Sequence, residues 1–292
     1  MRKFKFKPVI IIGAARSGTN MLRDLLTTID NFATWPCDEI NYIWRYDNAH
    51  KTTDQFSVDD VTKRNKNYIR RQFEKLHKKT EADYIVEKTC ANSLRVDFVN
   101  QILPEAKYIY IYRDPVDVVA SAKKRWSAPL DLGYILKKAR YVPIKDLPYY
   151  ALKYIWNRIY KIINNEERLA FWGPKFRGLD EVLKDNSLEE VCAIQWEKCN
   201  DRTLDSFTEI DNNKIYNIAY EDFVYQPTKN LANILKFINN KDYDKMTLDE
   251  IVKDVSTSSV KKGYNNLSQA KVDKIENLTK QTYERIKEEY ED

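Results

Sequence analysis

Long apolar runs, metal-type cysteine pairs and histidines are all scarce in this sequence. No stretch approaches the 18 consecutive apolar residues of a transmembrane helix, so no membrane insertion is expected. The basic N-terminus, MRKFKFKP, lacks the apolar stretch and small-residue cleavage site of a signal peptide. The cysteines show no CxxC spacing, which predicts reduced thiols in a cytoplasmic protein and argues against a cysteine-bound metal. They are Cys37, Cys90, Cys192 and Cys199.

A strong charge of either sign is also missing. The formal net charge is +5, from 49 basic and 44 acidic residues, and the basic residues are scattered along the chain. This balance is mild for a nucleic-acid-binding protein, so no nucleic-acid partner is expected. It suits a groove for an anionic small molecule or an acidic polymer. The 20 tyrosines and six tryptophans include rings that could stack on sugars, although most such rings pack in cores.

Short apolar strands alternate with helical sequence along most of the chain. The predicted strands are Val9–Ile12, Tyr84–Glu87, Lys107–Tyr112 and Lys214–Ala219. This alternation predicts a single α/β domain with a central parallel sheet over residues 1–292. Between residues 127 and 208 the sequence becomes helix-rich and carries many Tyr, Trp and Lys residues. We interpret that stretch as a helical insertion in the same domain, because no Gly/Ser/Pro linker brackets it.

The segment from Gly13 to Asn20, GAARSGTN, nearly matches a nucleotide-binding P-loop. A triphosphate-binding loop has Lys directly after the second glycine, whereas here Thr19 follows Gly18 and Arg16 is the only cation. Backbone N–H groups of a Gly-bounded loop that leads into a helix can bind an anion. An ordinary tight strand-to-helix turn would have the same pattern, so the loop alone leaves both interpretations open.

Several motifs resemble those of sulfotransferases that use 3′-phosphoadenosine 5′-phosphosulfate (PAPS). GAARSGTNML is similar to the family's 5′-phosphosulfate loop, and YIYIYRDPVDVVASAKKRW to its second signature, a strand followed by Arg and, eight residues later, Ser. EKTCAN, YEDFVYQPTKNLANILKFI and VKKGYNNL resemble three further family segments in the same order. The resemblance implies a P-loop-like fold, PAPS as sulfuryl donor, adenosine 3′,5′-bisphosphate (PAP) as product, and no metal.

The resemblance also implies which residues bind the donor. They are Arg16, Ser17, Gly18, Thr19 and Asn20 around its 5′ end, Arg113, Ser121, Lys261, Lys262 and Gly263 around its 3′-phosphate, and Tyr220.

Sulfuryl transfer is an in-line displacement in which charge builds on the bridging oxygen of the donor. Arg16 is predicted to stabilise that charge without giving up its proton, because guanidinium hardly deprotonates. Lys88 is the second candidate cation, expected to contact the transferring group. Its alternative interpretation is a surface lysine that follows an edge strand.

The general base is predicted from the segment WPCDEINYIWRY. Small-molecule sulfotransferases have His two residues after the counterpart of Lys88, where this sequence has Cys90. Polysaccharide-type members use a Glu instead, which makes Glu39 the predicted base and Asp38 the reserve. The resemblance therefore favours a hydroxyl of a carbohydrate or polysaccharide as the acceptor. Alternatively, both acids merely cap a helix that begins near Ile40.

Two other functions compete with this hypothesis. A P-loop kinase or nucleotide-triphosphatase predicts Lys after Gly18 and a strand-end carboxylate for Mg²⁺, for which Glu87 is a poor candidate. A non-catalytic binding module would have no need to keep all of the predicted catalytic and donor-binding side chains.

Overall fold

The computed structural model describes residues 4–126, 140–143, 146–149, 152 and 172–290. Its described strands are β1 (Lys7–Ile12), β2 (Phe32–Ala33), β3 (Tyr84–Lys88), β4 (Lys107–Tyr112) and β5 (Ile215–Ala219). They form one sheet in the order β2-β3-β1-β4-β5, and every pairing is parallel. The predicted α/β class with a central parallel sheet is confirmed. Only β2 was not predicted, because two residues are too few to show a periodic pattern.

Helices cover both faces of this sheet. Those of the described residues are α1 (Thr19–Thr27), α2 (Asn41–Trp44), α3 (Lys63–Thr80), α4 (Val96–Ile102), α5 (Pro115–Trp126), α6 (Leu179–Asp185), α7 (Leu188–Phe207), α8 (Tyr220–Tyr225), α9 (Pro227–Asn239), α10 (Lys245–Val252), α11 (Lys262–Asn266) and α12 (Gln269–Tyr290). Helix α5 begins at Pro115, and the carboxylate of the preceding Asp114 accepts the N–H of Asp117 at 3.0 Å.

The alternating side chains of β1 supply two separate cores. Ile10 and Ile12 belong to the cluster that includes α7 and α12, whereas Val9 and Ile11 belong to the cluster of α1 and α9. All four side chains are fully buried, and each contributes about 1.5–3 kcal/mol relative to exposure. This burial on both faces explains why β1 is apolar at every position from Val9 to Ile12.

The predicted insertion at 127–208 is described mainly from residue 172 onward. Its helices α6 and α7 place Leu179, Trp196 and Phe207 in the same core as the sheet. Helix α7 begins with a capping box in which Ser187 and Glu190 bond reciprocally. Most of 127–171 lies outside the described residues, so the insertion as a whole stays a prediction.

No helix in the described ranges is both long and apolar enough to cross a membrane. Within the same ranges, no group of three or more His, Cys, Asp or Glu side chains could hold a metal ion. All four cysteines are free thiols.

Candidate active site

A cavity of about 620 Å³ lies at the carboxyl ends of β1, β3 and β4, where an open parallel sheet places its ligands. Most of the residues predicted from the sequence line it together. They are Arg16, Gly18, Thr19, Asn20, Asp38, Glu39, Lys88, Arg113, Ser121, Tyr220, Lys262 and Gly263. Ser17 and Lys261 do not line the cavity, and neither does Glu87, the carboxylate considered for Mg²⁺.

The loop after β1 has the features of an anion site. Gly18 adopts φ of +90°, a left-handed conformation that glycine takes without strain, and it directly precedes the N-terminus of α1. Arg16 is also left-handed, with φ of +78°, which costs of the order of 1–3 kcal/mol at a non-glycine residue. Ser17 Oγ and Asn20 Oδ1 are buried without a hydrogen-bond partner among the described residues. The Arg16 guanidinium and the N–H groups at the start of α1 are donors of the kind that bind an anion such as a phosphosulfate.

Arg16 connects the two predicted ends of the donor site. Its Nε donates a hydrogen bond of 2.9 Å to Ser121 Oγ on α5. Partial desolvation in the cavity and the charge of Arg125 lower the pKa of Arg16 from its ordinary value. Arg125 follows Ser121 by one helical turn and also lines the cavity.

Arg113 ties three segments of the site to one another. Its guanidinium donates to the carbonyl of Arg16 at 3.2 Å and to that of Ser259 at 2.6 Å. It also lies 4.3 Å from the centre of the Tyr220 ring, the geometry of a cation–π contact. Asp117 pairs with Arg113 at 3.5 Å, and Glu221 lies 4.0 Å from the buried Nε of Arg113, which forms no hydrogen bond within the described residues.

Asp117 anchors the start of α11 beside Arg113. Its carboxylate accepts the backbone N–H groups of Lys261 at 2.8 Å and Gly263 at 2.6 Å. A Cβ on Gly263 would lie 2.5 Å from the carbonyl oxygen of Val116, so only glycine fits there. Lys261 is exposed outside the cavity, whereas Lys262 lines it.

Lys88 is buried, with 3% of its surface exposed, and β3 lies between β2 and β1. The interpretation as a surface lysine after an edge strand is therefore wrong. Lys88 Nζ contacts Glu39 Oε1 at 3.1 Å and Asp38 Oδ1 at 3.3 Å. Burial opposes the charged form of Lys88, but the two carboxylates prevail and raise its pKa.

The two candidate bases have different surroundings. Glu39 accepts the backbone N–H of Cys90 at 3.2 Å and contacts Lys88. Asp38 is held by Arg23 of α1, which donates to its carboxylate at 2.8 Å and to its carbonyl at 2.9 Å. The N-cap of α2 is Ile40, which makes no side-chain cap. The helix-cap interpretation of Asp38 and Glu39 is thus not supported.

Cys90 takes no part as a base. It is buried, and burial, followed by the charge of Glu39, raises the pKa of its thiol to about 12. The Sγ atom lies 3.7 Å from Thr19 Oγ1. Cys90 therefore stays a neutral thiol between the anion loop and Glu39.

Sequence reasoning missed several residues of the cavity. Arg23, which holds Asp38 at the edge of the site, carried a signal, because it follows Thr19 by four residues on α1 and so shares its face. Lys124 and Arg125 follow Ser121 on α5 in the same way. Trp172, Gly173 and Pro174 gave no signal, since only the tertiary structure brings them to the cavity.

Comparisons with known proteins bear on the family and on the fold. Residues 8–142 match the model of the family described as "Sulfotransferase family". No curated protein matches the sequence. Among solved structures, the sulfotransferase domain of the Synechococcus PCC 7002 olefin synthase is similar with a TM-score of 0.55 and 15% identity, over 98% of this chain and 96% of that one.

Two more solved structures show the same similarity. The sulfotransferase domain from the curacin biosynthetic pathway has a TM-score of 0.50 and 14% identity, over 93% of this chain and 96% of its own. Sulfotransferase STF9 from Mycobacterium avium has a TM-score of 0.53 and 11% identity, over 97% of this chain and 77% of its own. At such identities the similarity shows the fold. The chain therefore has the sulfotransferase fold, and its residues 8–142 carry the sequence pattern of the sulfotransferase family.

Proposed function

We propose that the protein transfers the sulfuryl group of PAPS to a hydroxyl of a carbohydrate acceptor. The observation that carries this proposal is the position of the Glu39–Lys88 pair in the same cavity as the anion loop of Arg16 and Gly18. A carboxylate base and a buried cation beside an anion site are the groups that sulfuryl transfer to a hydroxyl requires.

The donor would lie across the carboxyl ends of β1 and β4. The loop from Arg16 to Asn20 and the N-terminus of α1 bind its 5′ end, and Arg113, Ser121 and Lys262 bind its 3′-phosphate. The donor supplies an activated sulfuryl group with PAP as the leaving group. Arg113 is buried and stacked on Tyr220, so little side-chain entropy is lost when it binds a phosphate.

Glu39, Lys88 and Arg16 have different roles in the transfer. Glu39 accepts the proton of the acceptor hydroxyl as the new bond between oxygen and sulfur forms. Lys88 and Arg16 stabilise the negative charge that develops as the bond between sulfur and the bridging oxygen breaks. Because Cys90 N–H and Lys88 fix the Glu39 carboxylate, little reorientation is required when the acceptor arrives.

Other residues that line the cavity favour an anionic sugar as the acceptor. Trp172 lines the cavity and is half-buried, and its ring is of the kind that stacks on sugar rings. Lys124 and Arg125 line it as well, and neither forms an ion pair with another residue of the described ranges. Lys123, the preceding residue, pairs instead with Glu189 at 2.9 Å. Two cations beside an aromatic ring suit a uronic acid or a sulfated sugar.

The donor is tested by thermal shift. We expect PAP, without metal, to stabilise the protein by about 2.7 kcal/mol at a hundredfold excess over its dissociation constant, and ATP with Mg²⁺ to stabilise it much less. Stabilisation by ATP with Mg²⁺ alone would contradict the proposal and favour a P-loop kinase.

The acceptor is tested with ³⁵S-labelled PAPS and a matched pair of probes, 4-nitrophenyl β-glucuronide and 4-nitrophenyl β-glucoside. We expect the glucuronide to be sulfated with the lower KM. Arg125→Gln should raise the KM for the glucuronide about tenfold and leave that for the glucoside almost unchanged, with both measured at saturating PAPS because Arg125 also acts on Arg16. Equal losses for both probes would contradict an anionic acceptor.

A further inference from the structure

Glu87 lies next to Lys88 on β3 but outside the cavity, and 1% of its surface is exposed. Both of its carboxylate oxygens accept a hydrogen bond from a side chain of the following turn. The hydroxyl of Thr89 donates to Oε1 at 2.5 Å, and Nδ2 of Asn92 donates to Oε2 at 2.9 Å. A buried carboxylate that is satisfied in this way fixes the orientation of both donors.

Thr89 links Glu87 to the segment that contains the predicted base. Its Oγ1 accepts the backbone N–H of Ile40 at 3.2 Å, directly after Glu39 in the chain. Since the hydroxyl proton points to Glu87, a lone pair of the same oxygen is directed at Ile40. The Glu87 carboxylate therefore determines which way Thr89 holds the backbone behind Glu39.

Asn92 forms a second connection to the same segment. Its Oδ1 accepts Nε of Arg95 at 2.9 Å, and an Nη of Arg95 donates to Oδ1 of Asn41 at 2.5 Å. Arg95 is fully buried. Because Arg95 can only donate, Oδ1 of Asn92 faces Arg95 and the amide nitrogen of Asn92 faces Glu87. Thr89 also donates to Glu87, so the side chain at position 87 must accept hydrogen bonds at both oxygens.

The two connections meet the chain on consecutive residues. The backbone N–H of Ile40 is held through Thr89, and the side chain of Asn41 through Asn92 and Arg95, directly after Glu39, which lines the cavity. Neither connection passes through the donor-binding loop.

We propose that Glu87 is a positioning residue, which acts through Thr89 on the backbone of Ile40 and through Asn92 and Arg95 on the side chain of Asn41, so that the Glu39 carboxylate faces the acceptor hydroxyl. This inference rests on the proposed role of Glu39 as the base. Glu87 contacts neither the donor site nor the acceptor site, so its effect is on turnover and not on donor affinity.

Thr89 provides the matched pair of variants. Thr89→Val keeps the shape and removes the hydroxyl that joins Glu87 to Ile40, whereas Thr89→Ser keeps the hydroxyl. The assay uses 4-nitrophenyl β-glucuronide and labelled PAPS. We expect Thr89→Val to lower kcat about 10- to 100-fold, because a misplaced catalytic group costs this much. Its affinity for PAP should stay within twofold of the wild-type value. Thr89→Ser should retain most of kcat. Equal losses of kcat in the two variants, or a parallel loss of PAP affinity, would overturn the proposal.

Glu87→Gln removes one acceptor without changing the volume of the side chain. An NH₂ group then faces either Asn92 or Thr89, both of which donate in the original network. We expect its kcat to fall in the same range as that of Thr89→Val.

A double-mutant cycle separates this inference from the proposed function. In a Glu39→Gln background, Thr89→Val should lower kcat by less than twofold, because the base that it positions is gone. A full additional loss would show that Thr89 acts elsewhere and would overturn the positioning role alone. If Glu39→Gln by itself retained normal turnover, the proposed base would be wrong, and the inference about Glu87 would fall with it.

Discussion

The ring of Tyr220 packs directly on Gly18, so that a Cβ at position 18 would lie 2.4 Å from Tyr220 Cδ2. The same ring stacks on the guanidinium of Arg113, and its hydroxyl lies within hydrogen-bonding distance of Ser259. A single side chain at the end of β5 therefore supports the loop after β1 and the arginine after β4.

Gly18→Ala is expected to lose both stability and donor affinity. Gly178 is the matched control, because it has φ of +89° against +90° for Gly18, while the nearest atom to a Cβ there is 4.0 Å away. Gly178→Ala should cost only the left-handed backbone strain, about 1–2 kcal/mol. Gly18→Ala adds the clash with Tyr220, so its melting temperature should fall further and its affinity for PAP should fall at least tenfold.

Equal melting temperatures for the two alanine variants, with PAP affinity retained in both, would show that the Tyr220 ring moves aside at little cost.

Glu39→Gln is expected to lower turnover about 10²- to 10⁴-fold, the usual contribution of a general base. The change leaves Lys88 paired with Asp38 at 3.3 Å, so PAP affinity should stay nearly constant. Asp38→Asn should have a much smaller effect on turnover, and Cys90→Ala should leave proton transfer intact. A large loss in Asp38→Asn alone would move the role of base to Asp38.

Arg113→Ala should weaken PAP binding by removing a charge-assisted contact worth about 1.5–3 kcal/mol, roughly 10- to 150-fold. Adenosine 5′-phosphosulfate, which has no 3′-phosphate, serves as the comparison ligand, with both affinities measured by calorimetry. Its affinity should fall less, and only because the carbonyl of Arg16 loses its hydrogen bond from Arg113. Equal losses for the two ligands would place Arg113 outside the 3′-phosphate site.

Glu87 makes the stability of the protein depend on pH. Burial raises its pKa from 4.5 to about 7, so the folded protein binds this proton more tightly than the unfolded chain. The resulting stabilisation is fully present below pH 4.5 and is lost as the pH rises through 7. The free energy of unfolding of the wild-type protein, relative to that of Glu87→Gln, should therefore fall by about 1–3 kcal/mol from pH 5 to pH 8.

Chemical denaturation of both proteins at each pH measures this difference. Subtracting one free energy of unfolding from the other removes the contribution of the titrating groups that the two proteins share. A difference that is constant with pH would mean that Glu87 keeps its charge throughout.

The sheet and the donor loop were predictable because their signals are local. The strand from Val9 to Ile12 is apolar throughout, that from Lys107 to Tyr112 alternates Tyr and Ile after its lysine, and the glycines of the loop stand at fixed spacing between a strand and a helix. The site residues came from segments directly after strands, and the shared edge of a parallel sheet brings such segments together.

The contacts among those residues were not predictable in the same way. Sequence spacing gave no sign that Lys88 pairs with Glu39, which is 49 positions away, or that Arg16 bonds Ser121, which is 105 positions away. Nothing in the sequence singles out Arg95, although it is fully buried in the network behind the predicted base. Each of these contacts depends on how separate strand-to-helix turns pack in three dimensions, which periodicity does not encode.

The central position of β1 has a consequence for how the protein is made. Its residue Lys7 pairs with Tyr84 and Val9 pairs with Lys107, so β1 leaves the ribosome well before the strands with which it pairs. Until then an entirely apolar segment is exposed, and long-range parallel pairing is slow to form. Expression at lower temperature, or with added chaperones, should therefore raise the yield of folded protein. Aggregation through the exposed β1 segment competes with formation of the sheet.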